Sequence, residues 1–185
     1  MKKTMLIAAL ALLGTVQAAP MIATNGYVRF FSVTKMENIE GVCQTAVSSL
    51  DLETGKIAIK ARNTTFVFPD KLMQEHFNEN YMESDKYPVS SFSGTVSGFD
   101  RDALDQGKKV AAVIDGDLDV HGITKHYHTQ GSLLKAADGA VAGETLFHVK
   151  ISDHGIKVPS ILTATIADSM ELTARFTWRP TGKAK

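Results

Sequence analysis

From Lys109 to Val120 the chain alternates with period two. Val110, Ala112, Ile114, Leu118 and Val120 fall on one side, and Lys109, Asp115, Asp117 and Asp119 on the other. A strand sends successive side chains to opposite faces, so this spacing specifies a strand with one apolar and one wet face. The code returns in Met170, Leu172, Ala174, Phe176 and Trp178 against Glu171, Thr173, Arg175, Thr177 and Arg179, and again in Phe147, Val149 and Ile151 against His148, Lys150 and Ser152. Less regular strands fall around Tyr27–Thr34, Ile39–Leu50, Lys56–Phe68, Val89–Phe99 and Ile123–Leu134, giving eight in all. Short Gly-bearing connections at Glu53-Thr54-Gly55, His121-Gly122, Ala137-Asp138-Gly139 and His154-Gly155 suit antiparallel hairpins. No long helices alternate with the strands, which disfavours a parallel sheet. A long antiparallel sheet with one apolar face closes most simply on itself, because closure removes the edges and gives that face an interior. The expected fold class is therefore all-β, an extended eight-stranded antiparallel barrel with one or two short helices.

The exception to the strand code is LMQEHFNENYMESDKYP, Leu72 to Pro88. Leu72, Met73, His76, Phe77, Asn80 and Tyr81 cluster on a 3.6-residue wheel, and Gln74, Glu75, Asn78 and Glu79 fall away from them. The resulting oily helix face needs burial, at the end of a barrel or on the flank of a sheet. An eight-stranded interior is either filled by side chains or holds one small ligand. Gly94, Gly98, Ala112, Gly116 and Ala174 sit on faces expected to look inward and to leave room. The helix, or inward Phe30, Phe66, Phe68, Phe92, Phe147 and Phe176, is able to fill that room, and the residues alone leave the choice open.

The first eighteen residues read as an export signal: Lys2 and Lys3, an apolar run from Met5 to Leu13, and a small-residue cleavage site at Val16-Gln17-Ala18. The expected organisation is a signal peptide over 1–18 and a single domain over 19–185, periplasmic in a cell with two membranes. No segment approaches the roughly 20 apolar residues a spanning helix needs, so an integral membrane protein is not expected. Of 20 Lys and Arg against 20 Asp and Glu, two lysines lie in the leader, which leaves the mature chain slightly acidic. That balance argues against nucleic acid, whose binding rests on clustered cations. The lone Cys43 excludes an intramolecular disulfide and reads first as a small core residue, with an intermolecular disulfide or a reactive thiol as the alternative.

Catalytic and metal motifs are not found. His126 and His128 share a strand face, but His121 lies across a turn, and no His-Glu-x-x-His pattern completes a zinc site. Asp115, Asp117 and Asp119 form a row along a strand, where a calcium loop would wrap around its ion. No nucleophile elbow or phosphate loop is present. The expectation is a non-enzymatic protein with no cofactor and no metal.

Several strings, taken together, resemble the YceI-like family of exported lipid-binding proteins. They are the F-x-F of Phe66 and Phe68, LMQEHFNENYMESDKYP running into SFSGTVSG, GDLDVHGITK from Gly116 to Lys125, and FHVKISDHGIKVPSILTATIADSMEL from Phe147 to Leu172. The resemblance implies a barrel similar to lipocalins, whose long apolar lumen takes a polyisoprenoid or fatty chain: isoprenoid quinone-like, polyprenyl phosphate-like or fatty amide. It implies a lumen lined by Phe66, Phe68, Phe77, Tyr81, Phe92, Leu118, Val120, Phe147, Val149, Ile156, Val158 and Phe176. Gln74, His76, Asn78 and Asn80 either meet a head group or cap the helix, with caps favoured; Lys125 and His126 are the other place to look for an anionic head. The implied role is transport, storage or sequestration of the lipid. The alternative is a periplasmic stress or redox accessory module acting through a protein partner, with lipid incidental. A homodimer and transient membrane contact stay open.

Overall fold

The computed structural model describes residues 20–33, 38–158 and 167–181, so the expected signal peptide over 1–18 lies outside the described residues. Eight strands follow in order: β1 (Met21–Val33), β2 (Asn38–Leu50), β3 (Lys56–Arg62), β4 (Val89–Ser97), β5 (Val110–Val120), β6 (Ile123–Lys135), β7 (Val141–Lys150) and β8 (Ser169–Trp178). Each pairs antiparallel with its sequence neighbours, and β8 returns to β1, closing the barrel. Two short helices, α1 (Lys71–His76) and α2 (Arg101–Asp105), interrupt the meander. Register shifts near Gly26 break the β1–β2 ladder. Such irregularities add the local twist that closure requires.

The ladders are uneven. β5 and β6 pair from Val110↔Leu133 to Val120↔Ile123, whereas β6 meets β7 only over Gly131–Lys135 and β2 meets β3 only over Val47–Leu50. One end, the laddered end, is therefore closed all round, with β1 and β8 joined there by the Ile22–Arg179 bridge, and the other parts at two seams. At the laddered end Leu50, Leu104, Leu133, Val141, Phe176 and Trp178 are all buried, with Leu104 of α2 only 2% exposed. Trp178 stacks on Phe176 at 5.6 Å and its indole N–H donates to Ser48 Oγ at 2.9 Å. That satisfies the one polar group the ring brings inside.

The third strand ends at Arg62, short of the expected Phe68. Asn63, fully buried, donates to the Tyr87 carbonyl at 2.6 Å and accepts from Ser90 Oγ at 2.8 Å, and a 3-10 turn over Asn63–Thr65 takes the chain out of the sheet. Phe66 to Phe68 then crosses the β2–β3 seam, where Val67 exchanges backbone bonds of 2.9 and 3.0 Å with Val42. Gly98 does not look inward: it is exposed, in a turn at φ 70°. Gly94 and Gly116 face each other across β4 and β5, and a Cβ on either would lie under 3 Å from the other's Cα. Their smallness allows close strand approach and leaves no void; Ala112 and Ala174 are the small residues that border open space.

Candidate ligand-binding chamber

Between the parted end and a floor that includes Phe176 and Trp178, the inward faces do not meet. They enclose a chamber of about 450 Å³, within the range of roughly 300–1,000 Å³ common for ligand pockets. Its wall is supplied by the alternation: Ala112, Ile114, Leu118 and Val120 from β5, Phe147 and Val149 from β7, and Met170, Leu172, Ala174, Phe176 and Trp178 from β8. Of the twelve residues expected to line the lumen, Phe66, Phe68, Phe77, Tyr81, Phe92, Leu118, Val120, Phe147, Val149, Ile156 and Phe176 border this chamber. Val158 does not. It lies past the end of β7, which gives way to a 3-10 turn over Ile151–His154 ended by Gly155 at φ 70°, and of the residues after that turn Ile156 borders the chamber. Val28, Phe30, Ile57, Ile59, Ile114, Tyr127 and Leu172 also line the chamber. The same period-two parity marks them in the sequence.

The helix covers one side of the opening. Asp70 caps it, accepting from Met73 N at 2.8 Å. Beyond His76 the chain widens into a single π-turn over Phe77–Tyr81, closed by Met82 N–H to the Phe77 carbonyl at 2.8 Å. Leu72, Met73, His76, Phe77 and Tyr81 all face the chamber, yet none is buried, and Leu72 is 57% exposed. The oily face thus turns toward an open space, where the sequence had called for burial. Phe77 anchors it, with ring centres 5.3 Å from Phe30, 5.7 Å from Phe66 and 4.9 Å from Phe68. Burial raises the Tyr81 hydroxyl above its ordinary pKa.

Gln74 and Asn78 are structural: the Gln74 amide oxygen accepts from Phe68 N at 3.3 Å, while Asn78 donates to the Gln74 carbonyl and accepts from Ser84 Oγ. His76 and Asn80 are exposed. Glu83, just past the helix, pairs with His121 Nε2 at 2.7 Å, joining the lid to the β5–β6 turn. Both residues hold left-handed backbone, φ 43° and 55°. Non-glycine residues in that region cost energy and persist where contacts fix them.

Electrostatics separates inside from outside. Among the described residues, no Lys or Arg lines the chamber; the carboxylates at its border, Asp70 and Glu144, are held by the helix cap and by Lys109 Nζ at 2.6 Å. Lys125 is exposed and outside the lining. On the outer face the Asp row meets β6 in register: His128 bonds Asp115 at 2.9 Å, His126 bonds Asp117 at 2.9 Å, and Thr124 donates to Asp119 at 2.8 Å. The His126 pKa is raised by its bond to Asp117, and that of Asp115 is lowered by its bond to His128. His126, engaged with two carboxylates, makes a poor anion site. Among the described residues no group of three His, Cys, Asp or Glu is placed to hold a metal ion, and no helix is long and apolar enough to cross a membrane. Cys43 is fully buried, its Sγ 3.2 Å from Thr65 Oγ1.

Solved structures share this architecture at low sequence identity. A polyisoprenoid-binding domain from Saccharophagus degradans implicated in plant cell wall breakdown superposes with a TM-score of 0.73 at 12% identity, covering 88% of this chain and 99% of that one. BcnA of Burkholderia cenocepacia gives 0.68 at 13% identity, covering 82% and 95%. The YCEI protein of Campylobacter jejuni gives 0.53 at 16% identity, covering 96% and 97%. No curated protein sequence matches significantly. The model of the YceI-like domain matches residues 21–178, the whole barrel from β1 to β8, and the chain belongs to the YceI-like family.

Proposed function

We propose that this chain is an exported, non-enzymatic binding protein that holds a polyisoprenoid or other long-chain lipid in its barrel for transport, storage or sequestration. Residues 1–18 act as its signal peptide and the mature domain works in the periplasm. The observation that carries this reading is the chamber of about 450 Å³, walled almost entirely by apolar side chains and open beside an exposed Leu72. Burying a methylene contributes about 0.8 kcal/mol, so several isoprene units are held with few polar contacts and no catalytic group. The polyisoprenoid-binding description of the Saccharophagus domain, which shares the fold, supports the same ligand class. The competing view of a redox module gains nothing from Cys43, whose thiol is sealed in the core. Organic extraction of freshly purified protein followed by mass spectrometry is the test. An apolar chain near equal stoichiometry is expected, and a protein that yields none and takes up none would defeat the proposal.

A further inference from the structure

Tyr127 lies on the inner wall where β6 parts from β7, its ring 5.5 Å from Phe147, and both rings border the chamber. Its hydroxyl is 3.0 Å from Nε2 of His154, which is fully buried. The other ring nitrogen, Nδ1, is 2.9 Å from the Ile123 carbonyl oxygen. A carbonyl only accepts, so Nδ1 carries the hydrogen, and in the neutral ring Nε2 is left with a lone pair. The partners at both nitrogens are uncharged groups, a tyrosine hydroxyl and a backbone carbonyl. The Tyr127 hydrogen is therefore spent on His154. What the tyrosine oxygen still has to offer is acceptor capacity alone.

We propose that Tyr127, fixed by His154, is the head-group subsite of the chamber, and that it selects a lipid whose polar end is a neutral hydrogen-bond donor: an alcohol, a phenol or a primary amide. This rests on the lipid-binding reading above and narrows it. A quinone-like carbonyl brings only acceptors to an oxygen that has no hydrogen left to give. A phosphate brings charge into a chamber where, among the described residues, no Lys or Arg meets it, and an uncompensated buried anion is costly.

The test uses delipidated protein and three probes with the same C20 isoprenoid carbon skeleton: geranylgeraniol, geranylgeranyl phosphate and the saturated hydrocarbon phytane. The wild type is expected to bind the alcohol more tightly than phytane by roughly two- to tenfold, the worth of one hydrogen bond, and more tightly than the phosphate. Tyr127→Phe is expected to lose the preference for the alcohol and to keep wild-type affinity for phytane, which shows the chamber intact. Equal binding of alcohol and phosphate, or an undiminished alcohol preference in the variant, would overturn the subsite. Failure of all three probes to bind the wild type would remove the binding reading itself, a different result from equal binding by all three. If the variant does not fold, the Tyr127 ring-carbon resonance in 13C-tyrosine-labelled wild type decides. It should move with geranylgeraniol and stay with phytane; a resonance unmoved by bound alcohol would contradict the assignment.

Discussion

The two ends of the barrel are built from the same alternating code and put it to opposite uses. At the laddered end Leu50, Leu104, Val141 and Trp178 are packed to near-zero exposure, and α2 supplies the plug. At the parted end α1 and its π-turn bury no residue, Leu72 and Val67 remain 57% and 63% exposed, and the inward faces border a chamber. Pairing extent makes the difference. Where every strand has both neighbours the inner side chains converge; where β2 leaves β3 and β6 leaves β7, they are held apart. One end supplies stability and the other gives it up for space, as segments with few buried contacts generally do.

The largest effect that tests this division is a pair of leucine truncations followed by urea unfolding. Leu50→Ala at the closed end should cost about 3 kcal/mol, the usual loss when a buried leucine leaves a cavity. Leu72→Ala at the mouth should stay within about 0.5 kcal/mol, as exposed substitutions do, and weaken lipid uptake instead. Comparable losses at both sites would erase the distinction.

A smaller effect concerns what stiffens the open end in place of packing. The outer ladder of Asp115 and Asp117 with His126 and His128 runs along β5 and β6 there. The raised His126 pKa means its contribution is full in acid and is lost as pH rises through the folded value. The lowered Asp115 pKa means its contribution is present above the ordinary carboxylate range and is lost as pH falls through the folded value. The ladder should therefore help most between about pH 4 and pH 6.5. All these groups are exposed, so the effect is modest and screened by salt. Melting temperatures of wild type and Asp115→Asn across pH should differ most inside that window and converge outside it. A constant offset at every pH would mean that the ladder's charges do not matter.

Much of this division is legible in the sequence. Lys109 to Val120 and Met170 to Arg179 specify their faces by parity alone, and parity places Leu118, Val120 and Phe176 on the chamber wall. The helix is legible from spacing. What escaped depends on partners remote in the chain. The third strand stops at Arg62 because Asn63 finds Tyr87 and Ser90, 24 and 27 residues on. Val158 lies past the turn that ends at Gly155, where strand parity no longer tells which side chains face the chamber. The close approach of Gly94 to Gly116 cannot be told from spare room without the register. The pairing of Tyr127 with His154 is invisible until the seam brings β6 against the turn after β7.

On this reading the chamber, and no other feature, takes up a long apolar chain. Ala112 is buried on its wall and borders the open space, so Ala112→Trp projects a ring into that space while the outer face is untouched. Titration of delipidated protein with geranylgeraniol measures this most directly. Wild type should saturate at about one chain per molecule, and the variant should fold with a similar melting temperature and bind little. A folded Ala112→Trp protein that binds as the wild type does would contradict the account.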